Sequence, residues 1–238
     1  MKNLVIVGTC HDETTNYTAK DLVTILEKID PPIIFEELPE EWNVDNVLRA
    51  SKITGLENKA FIEYSNRYPG CSIIQYDIKN RNKILKENKY FENEKKLNRE
   101  LEKYLCENRF SKEDKVAYQK MIGLYILRDK YLSRDYPRVI NSEISDRFIE
   151  YLDKIANRFY GKVVDTYSDL KDYKGNVEFE KSFWLERNKV MVENIMRHLG
   201  EREDAITAVI TCGYEHRGIL KKLLGKYEEV LVREYWEE

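Results

Sequence analysis

Two of the three histidines in this chain stand three residues after a glycine: Gly8-Thr9-Cys10-His11 near the start and Gly213-Tyr214-Glu215-His216 near the end. With ten Gly in 238 residues, a given His has roughly a 4% chance of that spacing, which makes the pair about a one in two hundred coincidence. Each unit also closes an apolar run that reads as a buried strand. Glu36-Glu37 follows a third such run, Ile33 to Phe35, and Asp77 follows a fourth, Cys71 to Tyr76. Two imidazoles with one or two carboxylates form the ligand set expected of Zn, Mn, Co or Fe in a hydrolytic or redox site. His11, Glu36, Glu37 and His216 are therefore candidate metal ligands as well as candidate catalytic residues. Successive side chains on an extended chain face opposite ways, so one of Glu36 and Glu37 is expected to point into the site.

Other residues have weaker claims. Asp77 either caps a turn or orients a basic partner. His198 lies in the last turn of a helix, where its positive charge suits the helix dipole. Cys10 and Cys212 sit in the two glycine loops, read first as small buried side chains, then as thiolate ligands, and last as nucleophiles. Arg187 and Asn188 fall in the middle of an amphipathic helix, where an Arg is ordinarily on the surface.

The elements that must position these groups are legible from periodicity. Leu4 to Val7 is a β-branched run ended by Gly8, and Thr18 with Asp21 three residues on is the expected start of a helix with Leu22, Val23, Ile25, Leu26 and Ile29 on one face. Pro31-Pro32 stops that helix, and Ile33 to Phe35 begins a second strand. This order is a βαβ unit, whose right-handed crossover makes its strands parallel. Residues 44–67 read as one or two amphipathic helices, and 80–160 as long Lys- and Glu-rich helices. The apolar-all-round segment from Val116 to Leu132 is expected at the centre of the latter. The segment 163–175 reads as loop, 179–198 as helix, and 205–210 and 229–232 as two last strands flanking the helical 219–224. The expected fold is α/β, a mainly parallel sheet with flanking helices, in one domain spanning 1–238 with a helical insertion at about 80–160. In such a sheet ligands bind beyond the carboxyl ends of the strands, which puts His11, Glu36 or Glu37, Asp77 and His216 on one rim.

Composition excludes several classes. Lys and Arg number 40 against 43 Asp and Glu, a net charge of -3, with no basic footprint for nucleic acid. The four Cys form no CxxC pair, which fits reduced thiols in a cytoplasmic protein. No run approaches the ~20 apolar residues of a membrane span, and the N-terminal run is too short for a signal peptide.

The motifs VIVGTCH, IIFEEL, ERNKVM and VITCGYEH resemble, in order and spacing, those of the TraB, Tiki and GumN proteins, which group with haem-handling ChaN proteins and erythromycin esterases. Tyr76-Asp77-Ile78 with Arg81 is similar to an Asp-to-Arg element after strand three in TraB-type members. The resemblance covers both ends of the chain and leaves the middle unplaced. It implies a hydrolase acting on a peptide or ester bond of a peptide or small-molecule substrate. His11, His216 and Glu36 or Glu37 would hold a divalent metal (Mn, Zn or Co), Arg187 would stabilise the oxyanion or grip a carboxylate, and Arg81, Asp77 and Asn188 would contact or orient substrate. Without a metal, His11 would be general base, a Glu would hold its imidazole, and Arg187 would meet the developing charge. The alternatives are a haem- or iron-binding protein of the ChaN kind and a non-catalytic ligand-sensing module; a homo-oligomer is compatible with each.

Overall fold

A computed structural model describes residues 1–42, 55–201 and 206–237. Its centre is a parallel five-stranded sheet in the order β3-β2-β4-β1-β5, formed by β1 (Lys2–Thr9), β2 (Ile33–Pro39), β3 (Ser72–Asp77), β4 (Thr207–Gly213) and β5 (Val230–Arg233). The expected α/β architecture is the observed one. Strands β1 and β4 are direct parallel neighbours, paired from Asn3↔Thr207 to Thr9↔Gly213, so the two GxxH loops leave the sheet side by side. The chain reaches this by inserting its fourth strand between the first two.

Helix α1 (Ala19–Ile29) begins at the expected cap: Thr18 N–H donates to Asp21 Oδ2 at 2.8 Å and the Thr18 hydroxyl accepts from Asp21 N–H. Its Leu22, Val23 and Leu26 pack with Val5, Val7, Ile34 and Val209 on one sheet face, joined by Ala60, Phe61 and Tyr64 of α2 (Leu56–Arg67). Residues 44–54 of the expected helical stretch, and Ala205 of the expected strand, lie outside the described residues.

The opposite face carries Leu4, Ile6, Ile33, Phe35, Ala208 and Ile210, covered by α8 (Lys174–Gly200) and α9 (Tyr214–Leu224). Between β3 and α8 come α3 (Arg81–Glu87), α4 (Tyr90–Cys106), α5 (Lys112–Lys130), the short α6 (Pro137–Ile140) and α7 (Glu143–Thr166). Leu97, Leu101, Phe110, Tyr118, Met121, Phe159 and Val163 form a separate core among these helices. Two expectations need correction. Helix α5 is not the buried centre of the insertion: Val116, Ile126 and Leu127 are exposed, and burial is confined to Asp114, Tyr118 and Met121. The segment 163–175 is not loop: α7 runs to Thr166, and a 3-10 turn, Ser168–Tyr173, leads directly into α8 with Leu170 buried. Its lack of an apolar period reflects a turn with a single anchoring residue.

Strand β5 is four residues long and pairs with β1 only as far as Val5↔Arg233. Above that point side chains replace the missing strand. Arg217 Nε donates to Ile6 O at 3.4 Å, and the Asn141 amide brackets Gly8, accepting from its N–H at 2.6 Å and donating to its carbonyl at 3.0 Å. Arg217 is fully buried and ion-paired to Asp146 and Glu234, which ties α9, α7 and the C-terminal segment to the strand that carries His11.

Candidate active site

The carboxyl ends of β1, β2, β3 and β4 carry Thr9, Glu37, Asp77 and Gly213, and the site is built on them. Alternation along β2 sends Glu36 to the α1–α2 face with Ile34 and Glu37 to the α8 face with Phe35. A register shift between Glu36 and Pro39, where β2 bulges against β3, falls at this point, as bulges that re-aim side chains near sites do. Glu37 Oε1 accepts from Arg187 Nη2 at 2.5 Å and Oε2 accepts from Gly213 N–H at 2.6 Å. Burial would raise the Glu37 pKa, but neighbouring His216, the Arg187 guanidinium and the Gly213 amide outweigh it and hold the carboxyl down at about 2.

Arg187 lies at the centre. Its Nε and Nη2 form a fork on Asp77 Oδ1 and Oδ2, both at 2.8 Å, and Nη1 donates to His216 Nε2 at 3.0 Å. A guanidinium has five N–H donors. Four are engaged by Asp77, Glu37 and His216, which leaves one Nη1–H. Asp77 is fully buried and also accepts from Arg81 Nη1 at 2.6 Å, so one carboxylate orients two guanidiniums.

His216 is held as a neutral ring. Asn188 Oδ1 accepts from Nδ1–H at 2.8 Å, and Asn188 Nδ2 is itself fixed on Trp184 O at 2.7 Å. The Trp184 indole stacks on the imidazole at 4.1 Å between centroids. Burial, opposed by Glu37 and reinforced by Arg187, lowers its pKa to about 4. Asn188, read as a substrate contact, is buried with both polar side-chain atoms engaged.

His11 is the opposite case. Its φ of 61° is in the left-handed region, which for a non-glycine residue costs on the order of 1–2 kcal/mol. The conformation is pinned by the start of α2: Leu56 N–H donates to His11 O at 2.6 Å, and Glu57 Oε1 meets His11 Nδ1 at 2.7 Å. Thr9 Oγ1 donates to the same Glu57 oxygen. Nε2 then lies directly over Gly213, where a Cβ would stand 2.8 Å from it. The side chain is 56% exposed. Partial burial works to lower its pKa, but the bond to Glu57, with Glu57 and Glu37 as nearby charges, raises it to about 9.

The remaining candidates fall outside this cluster. Glu36 is buried and, among the described residues, bonds through its side chain only to Gln75 Nε2, at 3.4 Å; burial, reinforced by Glu57 against that bond, pushes its carboxyl up to about 7. Cys10 Sγ donates to Ser133 O, and burial first, then Glu57 and Glu215, push its thiol up to about 12; Cys212 is fully buried with its thiol also raised by burial. Neither offers a thiolate. His198 packs at the end of α8 with Glu40 and Glu201 each 3.6 Å away. Glu57 and Trp184 were not legible in advance, because a Glu in the first turn of a helix and an aromatic on a helix face are ordinary features.

A cation shared by His11, Glu37 and His216 does not fit this donor set. Glu37 Oε1 and His216 Nε2 are both engaged by Arg187, which already supplies the positive charge. Among the described residues no group of three or more His, Cys, Asp or Glu side chains is arranged to hold a metal ion, and no helix is long and apolar enough to cross a membrane. No family model, curated protein or solved structure matches the chain.

Proposed function

We propose that the chain is a hydrolase of ester or peptide bonds that works without a metal, with His11 as general base, Glu57 as its orienting carboxylate and Arg187 as the donor to the oxyanion. The observation that carries the reading is the Glu57–His11 pair: Nδ1 is fixed on a carboxylate while Nε2 of a solvent-accessible ring is left over Gly213, beside Glu37. A base, an orienter for the base, and a preorganised donor are the parts that acyl transfer needs.

Water approaching a substrate carbonyl would give its proton to His11 Nε2, and the resulting imidazolium would be stabilised by Glu57. The tetrahedral oxyanion would take the remaining Nη1–H of Arg187, whose orientation is set by Asp77, Glu37 and neutral His216. His11 would then return the proton to the leaving oxygen or nitrogen. Arg81, sharing Asp77 with Arg187 and partly open at the rim, would hold an anionic group of the substrate.

Purified protein is to be assayed on a panel of aryl esters and fluorogenic peptides, with and without chelator. Turnover is expected to survive chelation and to fall at least about a hundred-fold in His11→Ala, the scale of general-base catalysis. Activity lost to chelator and restored by Mn, Zn or Co would replace this reading with the metal-dependent one. Absence of turnover, with a Soret band on haem titration that weakens in His11→Ala and His216→Ala, would favour the haem-binding one.

A further inference from the structure

Beside the His216 wall lies a cleft of about 600 Å³, set between α7 and α9 and reaching Trp184 of α8. That is within the size range of small-molecule sites, roughly 300–1,000 Å³. Trp184 belongs to both places: it lines the cleft and stacks on the His216 ring. Ile149 and Ile219 supply further apolar wall, and Gly218 keeps α9 close to α7, where a Cβ would meet Asp146 Cβ at 3.1 Å.

Most charges around the cleft are matched. Lys222 pairs with Glu150, Lys221 with Glu234, Arg147 with Glu143, and Glu215 with Arg128 from α5. Asp153 is different. It lines the cleft from a solvent-exposed position and forms no hydrogen bond or ion pair with a described residue. The cleft walls desolvate it in part, and Glu215 adds repulsion that Arg128 only partly offsets, so that its carboxyl is raised to about 6 and is still anionic at neutral pH. An unmatched carboxylate beside aromatic and aliphatic walls is complementary to an amphipathic cation, which gains an ion pair and apolar burial together.

We infer that the α7–α9 cleft is a ligand subsite for an apolar group carrying a positively charged amine, with Trp184, Ile149 and Ile219 taking the apolar part and Asp153 the ammonium. As the subsite for a non-reacting part of the substrate it rests on the hydrolase reading; as a binding site it does not. Binding energy from such a remote group can be used to position the scissile bond, since Trp184 transmits occupancy of the cleft to the His216 ring.

The test uses the full chain at pH 7.5 with three probes of like shape: 2-phenylethylamine, 2-phenylethanol and 3-phenylpropionate. Affinities come from calorimetry, and the location from methyl chemical-shift changes at Ile149 and Ile219. The amine is expected to bind about ten-fold or more tightly than the alcohol, the propionate least, with Asp153→Asn reducing the amine to the level of the alcohol. His11→Ala should leave the amine affinity unchanged, so that loss of the hydrolase reading and loss of the subsite are read separately. Equal binding of amine and alcohol, an Asp153→Asn variant that keeps the preference, or shift changes that spare both isoleucines would each overturn the proposal.

Discussion

His11 and His216 differ in everything except the glycine that precedes them. One ring is exposed and raised to about 9 by Glu57, the other buried and lowered to about 4. Paired groups whose environments separate their pKa values mark out acid–base roles. A base with a pKa near 9 is only about 1% deprotonated at pH 7. Hydrolysis should therefore rise with pH along a limb centred near pH 9, and in Glu57→Gln that limb should move down toward the ordinary histidine value while the plateau rate falls. A pH profile of kcat/KM for both proteins checks this, and an unshifted limb would remove Glu57 from the mechanism. The GxxH pair, Glu37 or Glu36, and Asp77 were legible as candidates because residues at the ends of apolar runs announce themselves by position, whereas Arg187, inside a helix, was a candidate only through the family resemblance. Which Glu faced Arg187 was not legible, since the choice depends on the parity of β2 and its bulge against β3.

At the scale of elements, the two strands that carry the site are held together by contacts as close as the chain allows. Gly213 has a φ of -53°, which alanine adopts readily, so a substitution there tests space and not backbone freedom. A Cβ 2.8 Å from His11 Nε2 must displace the imidazole. Gly213→Ala should lower kcat/KM about a hundred-fold or more through this misplacement, with urea unfolding showing a loss of under about 2 kcal/mol; near-normal turnover would mean that Nε2 does not act from that position. Asn141 serves the other edge of β1, where β5 has ended. Asn141→Ala leaves the Gly8 N–H and C=O without their partners, at about 1–3 kcal/mol for each buried polar group. The expected result is a lowered denaturation midpoint and faster hydrogen exchange at the Gly8 amide. The helices that supply Glu57 and Trp184 were legible as helices, and Asn141 sits at the junction between α6 and α7; their docking onto these strands was not legible, because an amphipathic face encodes burial but not its partner.

The whole molecule adds opposing proton linkages. His216, with its folded pKa depressed from 6.5 to about 4, contributes stability that is present above pH 6.5 and lost as pH falls toward 4. Glu36, raised from 4.5 to about 7, contributes stability that is present below pH 4.5 and lost as pH rises through 7. Each is on the order of 3 kcal/mol and they act over nearly the same window with opposite sign, so the parent protein should show little net change from this pair. Glu36→Gln removes one side. Relative to the parent, that variant should lose on the order of 3 kcal/mol between pH 7 and pH 4.5 in urea titrations; parallel curves would show that Glu36 titrates normally.

The sequence by itself determined which apolar runs become strands, though β2 and β4 run on to Pro39 and Gly213 beyond their apolar runs, and also the parallel βαβ start, the capping of α1 and the presence of imidazoles and carboxylates on one rim. These follow from local rules: an apolar run fixes burial, Gly and Pro fix where it stops, and a parallel sheet fixes which end is shared. Only the tertiary structure decided that β4 enters between β1 and β2, that Arg187 bridges Glu37 and His216, whose Oε1 and Nε2 lie 3.5 Å apart, and that Glu57, 46 residues from His11, is the group that holds it. Such pairings join side chains across long stretches of chain, and their geometry is set by how whole helices pack, which no local pattern of residues specifies.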